Sequence, residues 1–208
     1  MISLRTLLPF LFVAIGCGSD QEPILSAERS DLRNGDLIFQ TSTSRQSQAI
    51  QLATGSKYSH VGLIYSTDDG TFVLEAVQPV KLTPLNEWID RGENDHYVVK
   101  RLKNADEVLT VEVLDRMMST AKTHLGKDYD LHFEWSDDRI YCSELVWKLY
   151  EEAAGIELSQ PEHLRDFDIS HPTVRKIMAE RYGEQIPLHE QVVSPAALFD
   201  SPLLITVP

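Results

Sequence analysis

The chain has 208 residues, 42% hydrophobic and 25% charged, the proportions of a compact domain with room for one sizeable core. Lysine and arginine total 19 against 32 for aspartate and glutamate, and the net charge of −13 gives nucleic-acid binding no support. Ten glycines and ten prolines exclude collagen-like and low-complexity classes, and no internal repeat is present.

Residues 1–16 read as a signal peptide. Arg5 supplies a positive start, residues 7–15 are apolar around Pro9, and Gly16 and Gly18 are small. That apolar run is too short to stay in a bilayer as a spanning helix. Cys17, directly after Gly16, resembles the lipid-attachment cysteine of a bacterial lipoprotein signal, with Ala14 standing where leucine is usual. On this reading residues 17–31 are a lipid-anchored tether, and the protein is exported to the cell envelope, facing the periplasm. A plain cleaved signal with an incidental cysteine is the alternative. With lipid on Cys17, Cys142 has no disulfide partner, and a lone thiol in an oxidising compartment needs a reason to exist.

A domain is expected over 32–208, with its core in 32–155. Gly35 and Asp36 signal a turn before a short strand at 37–39, and a Ser/Thr-rich loop leads into a helix at 48–54 that Gly55 ends. Strands at 58–65 and 72–77 flank a hairpin loop at 66–71, and 97–102 reads as a third strand. Apolar residues at helical spacing predict helices at 108–125 and 143–154, closed by Gly126 and Gly155. Pro161, Pro172, Pro187, Pro195 and Pro202 favour short helices and irregular segments over further sheet. Blocks of strands and helices of this kind make an α+β fold.

Three segments carry chemistry. With Tyr65 paired to Phe72 in the hairpin, Glu75 falls opposite Gly62 and diagonal to His60 on one face, within side-chain reach. Gly62 leaves space between them, and the carboxylate would hold the imidazole in one tautomer. Cys142 stands at the start of the helix near Ser143, where free N–H groups and the helix dipole favour a thiolate and a developing oxyanion. Helix-start cysteine, strand histidine and a carboxylate behind it are the parts of a thiol-dependent acyl-transfer site. Taken singly, each of the three is more often structural. Trp88, Trp135 and Trp147 could line a groove, with Trp135 best placed for substrate and Tyr58 also near the site; Trp147 is expected in the core. His60, His96, His124, His132, His163, His171 and His189 show no metal-ligand spacing, and phosphate-binding glycine loops are absent, so neither a metal nor a cofactor is expected.

The contexts SHVGLI around His60, LEA around Glu75 and YCSELV around Cys142, in that order, resemble the permuted papain-like cysteine hydrolases of the YiiX/YaeF type, within the NlpC-type superfamily. Gly35 and Asp36 with the apolar run 37–39, and the segment GKDYD at 126–130, extend the resemblance. It implies a small antiparallel sheet or open barrel packed against helices. It also implies Cys142 as nucleophile, His60 as base and Glu75 as third member, with Tyr141 supporting the oxyanion site. The function so implied is cleavage of an amide or ester in an envelope peptide, peptidoglycan or lipid-linked substrate. Lipid acyltransfer on the same fold and a non-catalytic envelope binding protein remain as alternatives.

Overall fold

The computed structural model describes residues 31–208. The signal peptide, Cys17 and all but the last residue of the tether lie outside the described residues. The elements run β1 (Leu37–Ser42), α1 (Arg45–Thr54), β2 (His60–Thr67), β3 (Gly70–Glu75), β4 (Lys81–Pro84), α2 (Leu85–Ile89) and β5 (Gly92–Leu102). They continue with α3 (Ala105–Val108), α4 (Val111–His124), α5 (Cys142–Ala154), β6 (Glu162–His163), α6 (Pro172–Tyr182), β7 (Gln191–Val192), α7 (Pro195–Phe199) and β8 (Leu204–Thr206).

Six strands form one antiparallel sheet in the order β4-β3-β2-β1-β5-β8. The fold is α+β and papain-like, as the sequence implies. Alternation along β1 explains how the sheet is covered. Leu37 and Phe39 face a core shared with Met117 and Ala121 of α4 and Leu145 and Leu149 of α5. Ile38 faces the other way, into a core of Ile64, Val73 and Val99 closed by Trp88 of α2. A third apolar cluster joins α1 to α6 through Ala49, Val174, Ile177 and Met178.

The hairpin register is the expected one, with Tyr65 opposite Phe72 and Leu63 opposite Leu74. Its turn is tighter than expected, because β2 runs on to Thr67 and β3 starts at Gly70. Helix 108–125 is divided: α3 ends at Val108 and Thr110 caps α4 by accepting from the Val113 N–H at 3.4 Å. The strand expected at 97–102 begins at Gly92, where Asn94 and Asp95 adopt left-handed conformations (φ 56° and 54°) and break the alternation. Beyond residue 160 the prolines do not prevent pairing: β6 and β7 form a small ladder, and β8 joins the main sheet as an edge strand.

Buried polar contacts tie the site-bearing elements together. Arg101 on β5 donates to both carboxylate oxygens of buried Asp36 at 2.7 Å, and the Tyr150 hydroxyl on α5 donates to the Gly35 carbonyl at 2.6 Å. Gly35 itself has φ +88°, a conformation that side chains resist. The Gly35-Asp36 pair in the resemblance is therefore a structural clamp.

Candidate active site

The first residue of β2 and the first residue of α5 meet where α5 packs across β2. His60 opens the strand and Cys142 opens the helix. Tyr141 takes the N-cap position in extended conformation, and the first intrahelical bond runs from the Leu145 N–H to the Tyr141 carbonyl at 3.0 Å. The N–H groups of the turn before it have no intrahelical acceptor, which is the electrostatic setting expected for the thiol. Glu144, fully buried one turn in, accepts from the Tyr141 N–H at 3.3 Å and pairs with Lys148 at 2.9 Å, so the start of the helix is fixed from below.

His60 Nε2 lies 2.6 Å from Glu75 Oε2, which leaves Nδ1 for the thiol. The other carboxylate oxygen accepts from the Thr83 hydroxyl at 2.6 Å and from Arg91. The imidazole also stacks on Trp88, with ring centres 5.9 Å apart and planes at 25°. Carboxylate and indole together leave the ring one orientation. A methyl at Gly62 would meet Val73 Cγ1 at 2.4 Å and the Leu74 carbonyl at 2.9 Å, so glycine here lets the two strands close over the pair.

The electrostatics converge on an ion pair. Burial lowers the His60 ring, but its hydrogen bonds and charge interactions with Cys142 and Glu75 outweigh that and push it up to about 9. Burial pushes the Cys142 thiol up, yet His60, the Val61 backbone and the Ser143 side chain bring it below the ordinary thiol value. Burial also raises the Glu75 carboxyl, and His60, Thr83 and Arg91 reverse this and hold it at about 2. The three shifts agree in sign with thiolate, imidazolium and carboxylate at neutral pH.

A fourth side chain reaches the thiol. Tyr129 interacts with Cys142, while its hydroxyl oxygen accepts from Gln46 Nε2 at 2.7 Å. Gln46 is oriented in turn by Arg181, which donates to its Oε1 at 2.8 Å. A hydroxyl that accepts from the amide keeps its proton free for the sulfur or for an oxygen beside it. Burial and the neighbouring Cys142 charge raise the phenol well above its ordinary value, so it stays protonated. The segment GKDYD places this residue. Gly126 (φ +84°) turns the chain, the Val80 N–H donates to the Lys127 carbonyl at 2.9 Å, and Gln78 accepts from the Tyr129 N–H at 2.8 Å. The buried Asp130 carboxylate then accepts from the His132 and Glu134 N–H groups.

Cys142, His60 and Glu75 are thus brought together, while the outlying expectations are not. Tyr141 stands beside Cys142 with its hydroxyl accepting from the Val193 N–H at 3.1 Å, and Tyr129 brings a second phenol to the thiol. Trp135 packs edge-on against Trp147 at 5.3 Å, under Lys148, and lines neither space beside Cys142. Tyr58 is buried against Phe199 at 4.1 Å. Trp147 lies in the core, as expected. Tyr129 stood inside a motif already noted; Thr83 and Arg91 had no local signal, because Thr83 comes to Glu75 through the pairing of β4 with β3 and Arg91 from the turn between α2 and β5.

A thiol at a helix start, paired with a strand imidazole and a buried carboxylate on an α+β scaffold, defines a papain-like thiol enzyme. The chain belongs to the family of permuted papain-like amidase enzymes, YaeF/YiiX or C92, whose model matches residues 31–208. An uncharacterized protein of Escherichia coli (strain K12), YiiX, is 51% identical over 175 residues, which span 84% of this chain and 85% of that protein. The crystal structure of the metalloprotein yiiX from Escherichia coli O157:H7 superposes with a TM-score of 0.80 at 51% identity, covering 85% of this chain and 96% of that one. That relative is described as a metalloprotein. Among the described residues of this chain, no group of three or more His, Cys, Asp or Glu side chains is arranged to hold a metal ion.

Proposed function

We propose that the enzyme cleaves an amide or ester through a Cys142 acyl-enzyme. The observation that carries this is the unbroken chain Cys142–His60–Glu75, with the thiol on the first residue of α5. The thiolate attacks the carbonyl carbon, and negative charge gathers on the carbonyl oxygen. That oxygen is stabilised by the free N–H groups of the first turn of α5 and by the Tyr129 hydroxyl. The tetrahedral intermediate collapses, the C–N or C–O bond breaks, and the leaving group takes the His60 proton. Water then attacks the thioester carbonyl as His60 accepts a proton, releasing a carboxylic acid and restoring the ion pair. Glu75 holds His60 in place throughout.

In our reading the substrate is a peptide, peptidoglycan or lipid-linked amide or ester of the cell envelope, and Cys17 carries the lipid that holds the enzyme there. Support for this location is the pattern of residues 1–18. An acyl-directed probe tests the chemistry by intact mass. One adduct on the wild type, lost in Cys142→Ala and strongly slowed in His60→Ala, is the expected result. Equal labelling of wild type and His60→Ala would contradict it. Incorporation of labelled fatty acid in cells, lost in Cys17→Ser, tests the anchor.

A further inference from the structure

The cleft on the His60 side of the thiol measures about 650 Å³, and its wall includes Gln40, Ser42, Ser47, Ser59, Arg91 and Gly92. Gln40 and His60 are paired residues of β1 and β2, so their side chains stand beside each other on one face of the sheet. The pairing of β1 with β5 is interrupted between Gln40 and Ser42, and Gly92 comes opposite Ser42. A methyl at Gly92 would collide with Gln40 Oε1, so the glycine keeps room for this amide in the cleft wall.

The other buried and half-buried polar side chains around the cleft are engaged within the protein. Ser47 Oγ and Ser59 Oγ share a hydrogen bond at 2.5 Å, and Ser42 Oγ lies 3.1 Å from Ser44 Oγ. Gln46 is held between Tyr129 and Arg181, and His60 is held by Glu75. The more exposed Gln78 accepts from the Tyr129 N–H, and Arg91 donates to Glu75. Gln40 is only 1% exposed, and its Oε1 has no hydrogen-bond partner. A buried acceptor without a donor is destabilising, and this one stands beside the imidazole that gives up the proton.

His60 must hand its proton to the leaving group, so the leaving group departs through this cleft, past Gln40. We infer that Gln40 is a specificity-determining residue whose Oε1 accepts a hydrogen bond from the N–H of the leaving amine. This rests on the acyl-enzyme reading above and narrows its substrate to an amide whose nitrogen bears a hydrogen. In the tetrahedral intermediate that nitrogen carries one hydrogen and one lone pair. With the hydrogen on Gln40, the lone pair faces His60 and takes its proton. The C–N electron pair then stays with the nitrogen, the carbonyl re-forms as the thioester, and a neutral amine leaves. An ester oxygen has only lone pairs to set against Oε1, and a tertiary amide has no hydrogen to offer. Either one leaves the buried acceptor unpaired, which is how a hydrogen-bonding site rejects an analogue that lacks the donor.

Three leaving groups on the purified protein test this, with Cys142→Ala as the blank throughout and products read by mass spectrometry. They are glycinamide, its ester counterpart glycolamide, in which oxygen replaces N–H, and sarcosinamide, in which N–CH₃ replaces it. Each is supplied as the octanoyl and as the N-acetylalanyl derivative, which covers lipid-linked and peptide acyl groups. The wild type should cleave the glycinamide at least about tenfold faster in kcat/KM than the sarcosinamide. Gln40→Met keeps the length of the side chain and removes the acceptor. It should lower kcat/KM on the glycinamide by about tenfold or more and change the ester by less than about threefold. An equal loss on amide and ester, with the circular dichroism of the wild type retained, would make Gln40 a structural residue and overturn the inference. If the variant loses its fold, the wild type decides, and equal rates on glycinamide and sarcosinamide overturn the inference. Cys142-dependent turnover of the ester alone also overturns it and leaves the acyl-enzyme standing. No Cys142-dependent turnover of any of these compounds overturns both.

Discussion

Glu75 and His60 are fifteen positions apart in sequence, yet their side chains meet at 2.6 Å in a site where Glu75 is fully buried and His60 nearly so. The contact exists because the β2–β3 register places Leu74 opposite Leu63, so that the carboxylate arrives beside the first strand residue. A buried carboxylate that raises an imidazole sets the upper pH limit of the site. Glu75→Gln should lower kcat/KM by on the order of 10²- to 10⁴-fold, because the ring loses both its orientation and its counter-charge. Steady-state kinetics checks the size of the effect, and a loss below threefold would make Glu75 a packing residue.

His60 is raised from 6.5 to about 9, so its protonated form stabilises the fold fully below 6.5 and that contribution is lost as pH rises through 9. Glu75 is lowered from 4.5 to about 2, so its contribution is present above 4.5 and lost as pH falls through 2. Activity should therefore fall on the alkaline side near pH 9, when the imidazolium that protonates the leaving group disappears. In Glu75→Gln this limb should move down toward the ordinary histidine range. A limb that stays in place would show that another group sets it.

Tyr129→Phe removes one hydroxyl beside the thiol and leaves the ring. The expected result is a loss in kcat on the order of 10²-fold with little change in KM, since the donor acts on charge that develops only during reaction. Gln46→Ala should give a smaller loss in the same direction, because Gln46 orients the phenol without reaching the sulfur. An unchanged kcat in Tyr129→Phe would leave the oxyanion to the helix N–H groups alone.

Gly62→Ala should destabilise the fold by about 1–3 kcal/mol, since the new methyl meets a Val73 carbon and the Leu74 carbonyl at under 3 Å. At about 2–4 °C per kcal/mol for a chain of this size, the melting temperature should fall by several degrees. Thermal denaturation followed by circular dichroism measures it. A melting point within a degree of wild type would show that the hairpin yields at little cost.

Asp36→Ala separates stability from chemistry. It leaves the mostly buried Arg101 guanidinium without its bidentate partner, which costs about 3–5 kcal/mol. The thiol titration should not move, because neither residue touches Cys142, His60 or Glu75. Denaturant unfolding and thiol alkylation on the same sample would show whether the two effects are independent.

The central strands, the long helices and the three reacting side chains were legible because each rests on local signals. A turn signal and an apolar run revealed β1, strand-like composition revealed β2 and β3, and apolar spacing revealed α4 and α5, while the hairpin register that brings Glu75 to His60 was assumed from pairing Tyr65 with Phe72, the pairing the structure has. What stayed illegible depends on pairing across the fold. β4 is four residues beside a proline, and it carries Thr83 to the carboxylate only by pairing with β3. β8 is a three-residue edge strand that becomes one by meeting β5. The tryptophans show the same limit: a place in the loop before Cys142 made Trp135 the expected substrate contact, while packing set it against Trp147 and put Trp88 under the histidine.

The most direct test of the account is the pH dependence of Cys142 alkylation by iodoacetamide, read by peptide mass so that Cys17 does not interfere. In the wild type the reaction should titrate well below the free-thiol value of about 8.5, and His60→Ala should move it up to that value or above. A thiol that titrates at or above about 8.5 in both proteins would contradict an activated nucleophile at the head of α5.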